Sequence, residues 1–217
     1  MSQQSGVLNT QIIKTAHLNY LLYLPKDYGQ DANQRGPLIL FLHGSGERGS
    51  DLELVKLYGL PKKLESGADL PFIVVSPQCP TDSYWLLHLD DLKALVEDMA
   101  GRYTVDTHRI YLTGMSMGGT GAWILGAAYP DLFAAMLPIC GRGVPSLAKR
   151  LKNLPVWAFH GEADEVVPAD ESRRMTKALQ NIDADVTLTL YPGVGHDSWT
   201  QTYDNPNIYT WLLSHSR

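Results

Sequence analysis

Gly114-Met115-Ser116-Met117-Gly118 is the stretch that decides the fold. It follows an apolar run, Arg109-Ile110-Tyr111-Leu112-Thr113, and opens a helix-like run from Gly119 to Ala128. A G-x-S-x-G at a strand-to-helix junction is a nucleophile elbow: the serine sits on a sharp, strained turn, and backbone crowding demands glycine two residues before and two after. Such a turn lifts the serine hydroxyl clear of a sheet and sets it at a helix N-terminus. The motif implies hydrolytic chemistry, provided the rest of the chain agrees.

Working outward, strand-like and helix-like runs alternate almost to the end, the βαβ rhythm of a parallel sheet covered on both faces. The candidate strands are Asn19 to Leu24, Pro37 to Leu42, Phe72 to Val75, Ile110 to Thr113, Ala134 to Ile139, Val156 to Phe159 and Val186 to Tyr191. Their apolarity is continuous rather than alternating, which implies burial on both faces. Between them, Leu89 to Tyr103 carries Leu92, Leu95, Val96 and Met99 at helical spacing, and Ser172 to Gln180 and Pro206 to Ser214 read the same way. The class is α/β, with a mostly parallel central sheet. No repeat or linker divides the 217 residues, so one domain spanning 1–217 is expected.

Composition narrows the partners. Lys plus Arg number 18 against 23 Asp plus Glu, a formal charge of −5, and no basic run suggests a nucleic-acid surface. The amino terminus, Met1 to Thr10, lacks the charged and apolar regions of a secretory signal, and no stretch nears the ~18 apolar residues of a membrane span. With Met1 native, the reading is a cytoplasmic protein; a trimmed precursor would look the same. Cys79 and Cys140 each close an apolar run and lack metal-ligand spacing, so two buried thiols are favoured over a bridge.

A serine hydroxyl is a weak nucleophile at neutral pH; it needs a general base, and the base needs an acid to fix its tautomer. After an elbow of this kind the acid comes next in chain order, then the histidine. Only His196 and His215 lie beyond the penultimate strand; His196 follows a strand ending in the glycine-rich Pro192-Gly193-Val194-Gly195, whereas His215 sits in a helical run near the terminus. His196 is the expected base. The acid belongs to the turn after Val156 to Phe159, where Asp164 is preferred and Glu162 is the alternative. Asp170 and Glu171 read as first-turn helix acids, and His160 as a residue that shapes the turn. The oxyanion needs two donors: the N–H after the nucleophile, Met117, and one from the loop His43-Gly44-Ser45-Gly46-Glu47-Arg48-Gly49, where Ser45 is expected.

These segments, together with Ser76-Pro77-Gln78-Cys79-Pro80 and Gly195-His196-Asp197-Ser198-Trp199, resemble the α/β-hydrolase esterases. Within them the chain is similar to the phospholipase/carboxylesterase and dienelactone-hydrolase-like group, which includes predicted peptidases and feruloyl-esterase-like enzymes. The similarity runs from about Tyr20 to Leu213. It implies an α/β-hydrolase fold with Ser116, Asp164 and His196 as triad, and Ser45 and Met117 as oxyanion hole. It also implies Trp85 as a wall of the acyl or alcohol pocket, the alternative for Trp85 being a buried core residue. Dienelactone hydrolases proper carry a cysteine nucleophile, where this chain has Ser116. No metal or organic cofactor is implied.

Gly141 to Leu154 is too short for the helical cap that lipases insert, so an open cleft is expected. Tyr84, Trp85 and Trp199 are its possible walls, and small esters with short acyl or aromatic groups suit it better than lipid aggregates. The alternatives are a peptidase or thioesterase on the same residues, or a non-catalytic scaffold that keeps the fold.

Overall fold

Among the described residues, seven strands form one sheet: β1 (Tyr20–Tyr23), β2 (Gly36–Leu42), β3 (Ile73–Pro77), β4 (Val105–Met115), β5 (Ala135–Ile139), β6 (Val156–Gly161) and β7 (Val186–Tyr191). The computed structural model describes residues 4–31 and 34–217; Met1 to Gln3 of the amino-terminal reading lie outside the described residues. The strand order is β1-β3-β2-β4-β5-β6-β7, and every pairing is parallel except β1 with β3. All seven expected strands are present. The greatest difference is β4, which starts five residues before the expected Ile110 because Val105 already pairs with Gly36.

Side-chain alternation sorts the core into two layers. Leu38, Leu40 and Leu42 of β2 face one layer, which buries Leu92, Val96 and Met99 of α2 (Leu89–Arg102), Ala122 and Leu125 of α3 (Met117–Ala128), and Met175 and Leu179 of α4 (Asp170–Gln180). Ile39 and Phe41 face the other, built with Leu60 of α1 (Gly59–Glu65), Tyr203 of α5 (Trp199–Asp204), and Ile208 and Leu212 of α6 (Pro206–Leu213). Helices therefore cover both faces. The edge strands β1 and β7 are only half buried, and β7 alternates Val186-Thr187-Leu188-Thr189-Leu190, so continuous double burial holds for the central strands alone.

The strand order fixes where a site can form. From β2 the chain moves outward to β3, then returns through α2 to β4 on the other side of β2. Connections leaving β2 and β4 thus diverge, and a crevice opens beyond their carboxyl ends. Register aligns those ends: Leu42 is level with Gly114, Met115 with Ile139, Ile139 with Phe159, and Gly161 with Tyr191. The β5–β6 connection carries only a 3-10 run, Pro145–Leu151, and no large cap covers the crevice among the described residues. No helix among them is long and apolar enough to cross a membrane.

Candidate active site

Ser116 lies at the end of β4 with φ 55 and ψ −115, a left-handed conformation that costs a non-glycine residue roughly 1–3 kcal/mol. The surroundings enforce it. A Cβ on Gly118 would lie 1.9 Å from the Leu42 carbonyl oxygen, and one on Gly114 would lie 2.4 Å from that of Gly118. Only glycine at both positions lets the turn pass between β2 and α3. The Ser116 N–H donates to Ile139 O at 2.9 Å, and its carbonyl accepts from Thr120 N at 3.0 Å as the first turn of α3.

His196 and Asp164 meet this serine from two other strand ends. His196 Nε2 is 2.8 Å from Ser116 Oγ, and His196 Nδ1 is 2.7 Å from Asp164 Oδ2. Asp164 Oδ1 accepts two further hydrogen bonds, from the N–H groups of Val166 and Val167, each at 2.9 Å. Burial alone would raise the Asp164 carboxyl; the hydrogen bonds from His196 and the two backbone N–H groups overcome that and hold it below the usual carboxylate range. As a carboxylate it can only accept, so Nδ1 of His196 carries the proton and Nε2 presents a lone pair to the serine hydroxyl. The alternatives lie elsewhere: Glu162 pairs with Arg173 at the surface, and His215 packs on Trp211 near the carboxyl terminus.

The loop after β2 reaches the same place. Gly44 leads a 3-10 turn, Ser45–Glu47, and neither the Ser45 nor the Met117 N–H is engaged by a backbone carbonyl among the described residues. His43 anchors this loop from below. Its Nε2 accepts from Cys79 N at 2.9 Å, so its Nδ1–H donates to Gly44 O at 2.6 Å. Burial, partly offset by the Gly44 carbonyl and reinforced by Arg48, pulls His43 down to about 4, so the ring is neutral near pH 7. Trp85 is almost wholly buried and donates from Nε1 to His43 O at 2.9 Å, while one side of it lines the cleft. Arg48 clamps the loop from outside through Ser45 O and Ser83 O.

Glu47, in this loop, had no role in the sequence reading. It is buried, its Oε2 has no hydrogen-bond partner, and burial raises its carboxyl with only partial relief from the Gly44 N–H. Trp199, expected as a cleft wall, is not among the residues lining the cleft beside Ser116; its ring stands edge-on to His196 with centroids 5.4 Å apart, and Tyr58 packs on it in turn. The open cleft beside Ser116 has a volume of about 230 Å³ and is walled by Tyr84, Leu86, Met117, Ile124, Arg142 and Val167.

One cluster has the composition of a metal site among the described residues, Cys140 with Asp164 and His196. Asp164 and His196 are already bonded to each other, and burial pushes the Cys140 thiol up to about 12, which leaves it protonated and a poor ligand. The group therefore reads as packing beneath the serine. Cys79 is likewise a buried free thiol.

Residues 83–207, more than half of the chain, match the Dienelactone hydrolase family. The chain belongs to that family. Among its relatives, a thermostable esterase of known structure is 36% identical with a TM-score of 0.80, over 92% of this chain and 60% of that one. A proposed esterase, NocK, of Nocardia uniformis subsp. tsuyamanensis is 32% identical over 62% of this chain and 42% of its own length. A bifunctional acetylxylan esterase/xylanase of Neocallimastix patriciarum is 27% identical over 64% of this chain and 21% of its own. The chain thus spans less than half the length of these curated relatives.

Proposed function

We propose that this chain, acting as a single catalytic domain, is a serine carboxylesterase that hydrolyses small esters with short acyl or aromatic groups. The observation that carries the reading is the unbroken hydrogen-bonded line from Ser116 Oγ through His196 to Asp164, at 2.8 and 2.7 Å. As Ser116 Oγ attacks the ester carbonyl, its proton passes to His196 Nε2, and Asp164 stabilises the imidazolium. The N–H groups of Met117 and Ser45 hold the oxyanion. The carbon–oxygen bond to the alcohol then breaks, and the alcohol leaves with the proton from Nε2. Water repeats the attack on the acyl-serine with His196 as base, which releases the carboxylic acid and restores Ser116.

Size supports the substrate class. A cleft of about 230 Å³ falls below the ~300–1,000 Å³ that encloses drug-sized ligands, so it fits a small acyl group better than a fatty chain. Relatives that are named as esterases, an acetylxylan esterase among them, agree with this. The test is a panel of p-nitrophenyl esters with a fluorophosphonate probe. Wild type is expected to label at Ser116 and to prefer short esters, and Ser116→Ala to lose labelling and about a million-fold in kcat. More than a tenth of activity surviving in Ser116→Ala would reject the nucleophile; faster turnover of emulsified long-chain triglyceride than of short esters would reject the substrate class.

A further inference from the structure

His160 closes the last unassigned contact of the acid. Its Nε2 lies 3.2 Å from Asp164 Oδ2 and 2.9 Å from Val167 O, and both of those atoms can only accept. The proton of a neutral His160 ring therefore sits on Nε2, and Nδ1 must accept. The group that donates to it is Ser172 Oγ–H in the first turn of α4, 2.7 Å away. His160 and Ser172 are both buried, and burial lowers His160 from the usual imidazole range, consistent with a neutral ring. The Asp164 carboxylate then accepts from two backbone N–H groups on Oδ1 and from His196 on Oδ2, and the His160 Nε2–H, hydrogen-bonded to Val167 O at 2.9 Å, makes a longer fourth approach to Oδ2 at 3.2 Å.

The two imidazoles are not equivalent. His196 is partly exposed, on a loop entered through Gly193 and Gly195, and it must gain and lose a proton. His160 extends from β6 with its side chain fully enclosed. We propose that His160 is a positioning residue: its Nε2–H, oriented by Ser172, pins Asp164 Oδ2 and fixes the acid on which His196 turns. The proposal rests on Ser116, His196 and Asp164 being the reacting set. It adds a buried relay, Ser172 to His160 to Asp164, that ends on the acid.

A fourth donor also withdraws charge from the carboxylate and makes Asp164 a weaker stabiliser of the His196 imidazolium. Removing it leaves a more strongly attracting carboxylate, so imidazolium persists to higher pH. The other ionisable groups around the cluster are the Cys140 thiol at the end of β5 and Asp197 beside His196, with Glu165 exposed on the same turn and Glu162 tied to Arg173 on α4. None of them is altered in the test.

The experiment compares wild type, Ser172→Ala and His160→Phe, which keeps a ring but carries no donor, by kcat and KM against pH, thermal unfolding, and proton NMR of the Nδ1–H shared by His196 and Asp164. Loss of one hydrogen bond to a charged group predicts a fall of about 10- to 100-fold in kcat for His160→Phe, with KM little changed. The acid limb of the profile should move to higher pH by about half a unit or more in both variants, and the shared-proton resonance should shift. Ser172→Ala, which deletes only a hydroxyl, decides the matter should His160→Phe not fold. Folded variants with an unmoved acid limb and an unmoved resonance would overturn the relay. Failure of wild type to label with fluorophosphonate would instead remove the catalytic reading, and the proposal with it.

Discussion

Replacing Asp164 by asparagine tests the site most sharply, because the structure dictates which way the new amide must face. Oδ1 accepts from the N–H groups of Val166 and Val167, so the amide oxygen has to occupy that side. Its NH2 is then directed at His196 Nδ1, which must become an acceptor. The imidazole proton moves to Nε2, the nitrogen 2.8 Å from Ser116 Oγ, and the base can no longer take the serine proton. In serine hydrolases such a tautomer inversion costs about 10⁴ in kcat, equivalent to ~5.5 kcal/mol. The same NH2 confronts His160 Nε2–H, two donors face to face, so a modest fall in the unfolding midpoint is expected as well. The assay is kcat for a short p-nitrophenyl ester near neutral pH, with circular dichroism as control for the fold. A folded variant that keeps more than a tenth of the wild-type kcat would refute the argument.

Three further perturbations follow from the local geometry. Ser45→Pro deletes the proposed oxyanion N–H at the first position of a 3-10 turn, where proline is tolerated, and Gly44 before it is already extended at φ −76 and ψ −176. It should lower kcat by about 10²–10³ while leaving the unfolding midpoint nearly intact, and Ser45→Ala should be mild; equal effects would exclude this N–H as a donor. Gly118→Ala drives a methyl into the Leu42 carbonyl, backbone against backbone, and should cost about 3 kcal/mol or more, some 6–12 °C in melting temperature for a chain of this size. An unchanged melting curve would show that the elbow can yield. Glu47→Gln probes the buried acid. Because the folded state holds the Glu47 proton more tightly than the unfolded chain does, wild-type stability should fall as pH rises from about 4.3 toward the raised value and then level off. Gln cannot ionise, so the melting temperature of the variant minus that of wild type should grow between pH 4 and pH 8; a constant difference would mean that Glu47 ionises freely.

What was legible in the sequence divides by range. Ser116, Asp164 and His196 could each be picked out because each lies just past a strand end, and strand ends are marked locally by an apolar run breaking into glycine, proline or acid. The sheet supplies the rest: register brings Leu42, Gly114, Ile139, Phe159 and their neighbours level, so residues 32 and 80 positions from His196 in the chain arrive within hydrogen-bond reach of it. The helices α1 and α5, of seven and six residues, were missed because so short a run holds too few turns for a period to emerge. The supporting groups were illegible for a different reason. Whether His43 is a base or a neutral strut depends on a backbone N–H 36 residues away at Cys79, and whether His160 donates depends on a hydroxyl in α4. Residue type fixes what an imidazole is able to do, while its tautomer is fixed by partners that only the folded chain assembles. His43, His160 and His196 all lie close to the sheet's carboxyl ends, and the partners assigned to them leave His196 as the one whose Nε2 lone pair faces Ser116, the serine of the strained turn after β4.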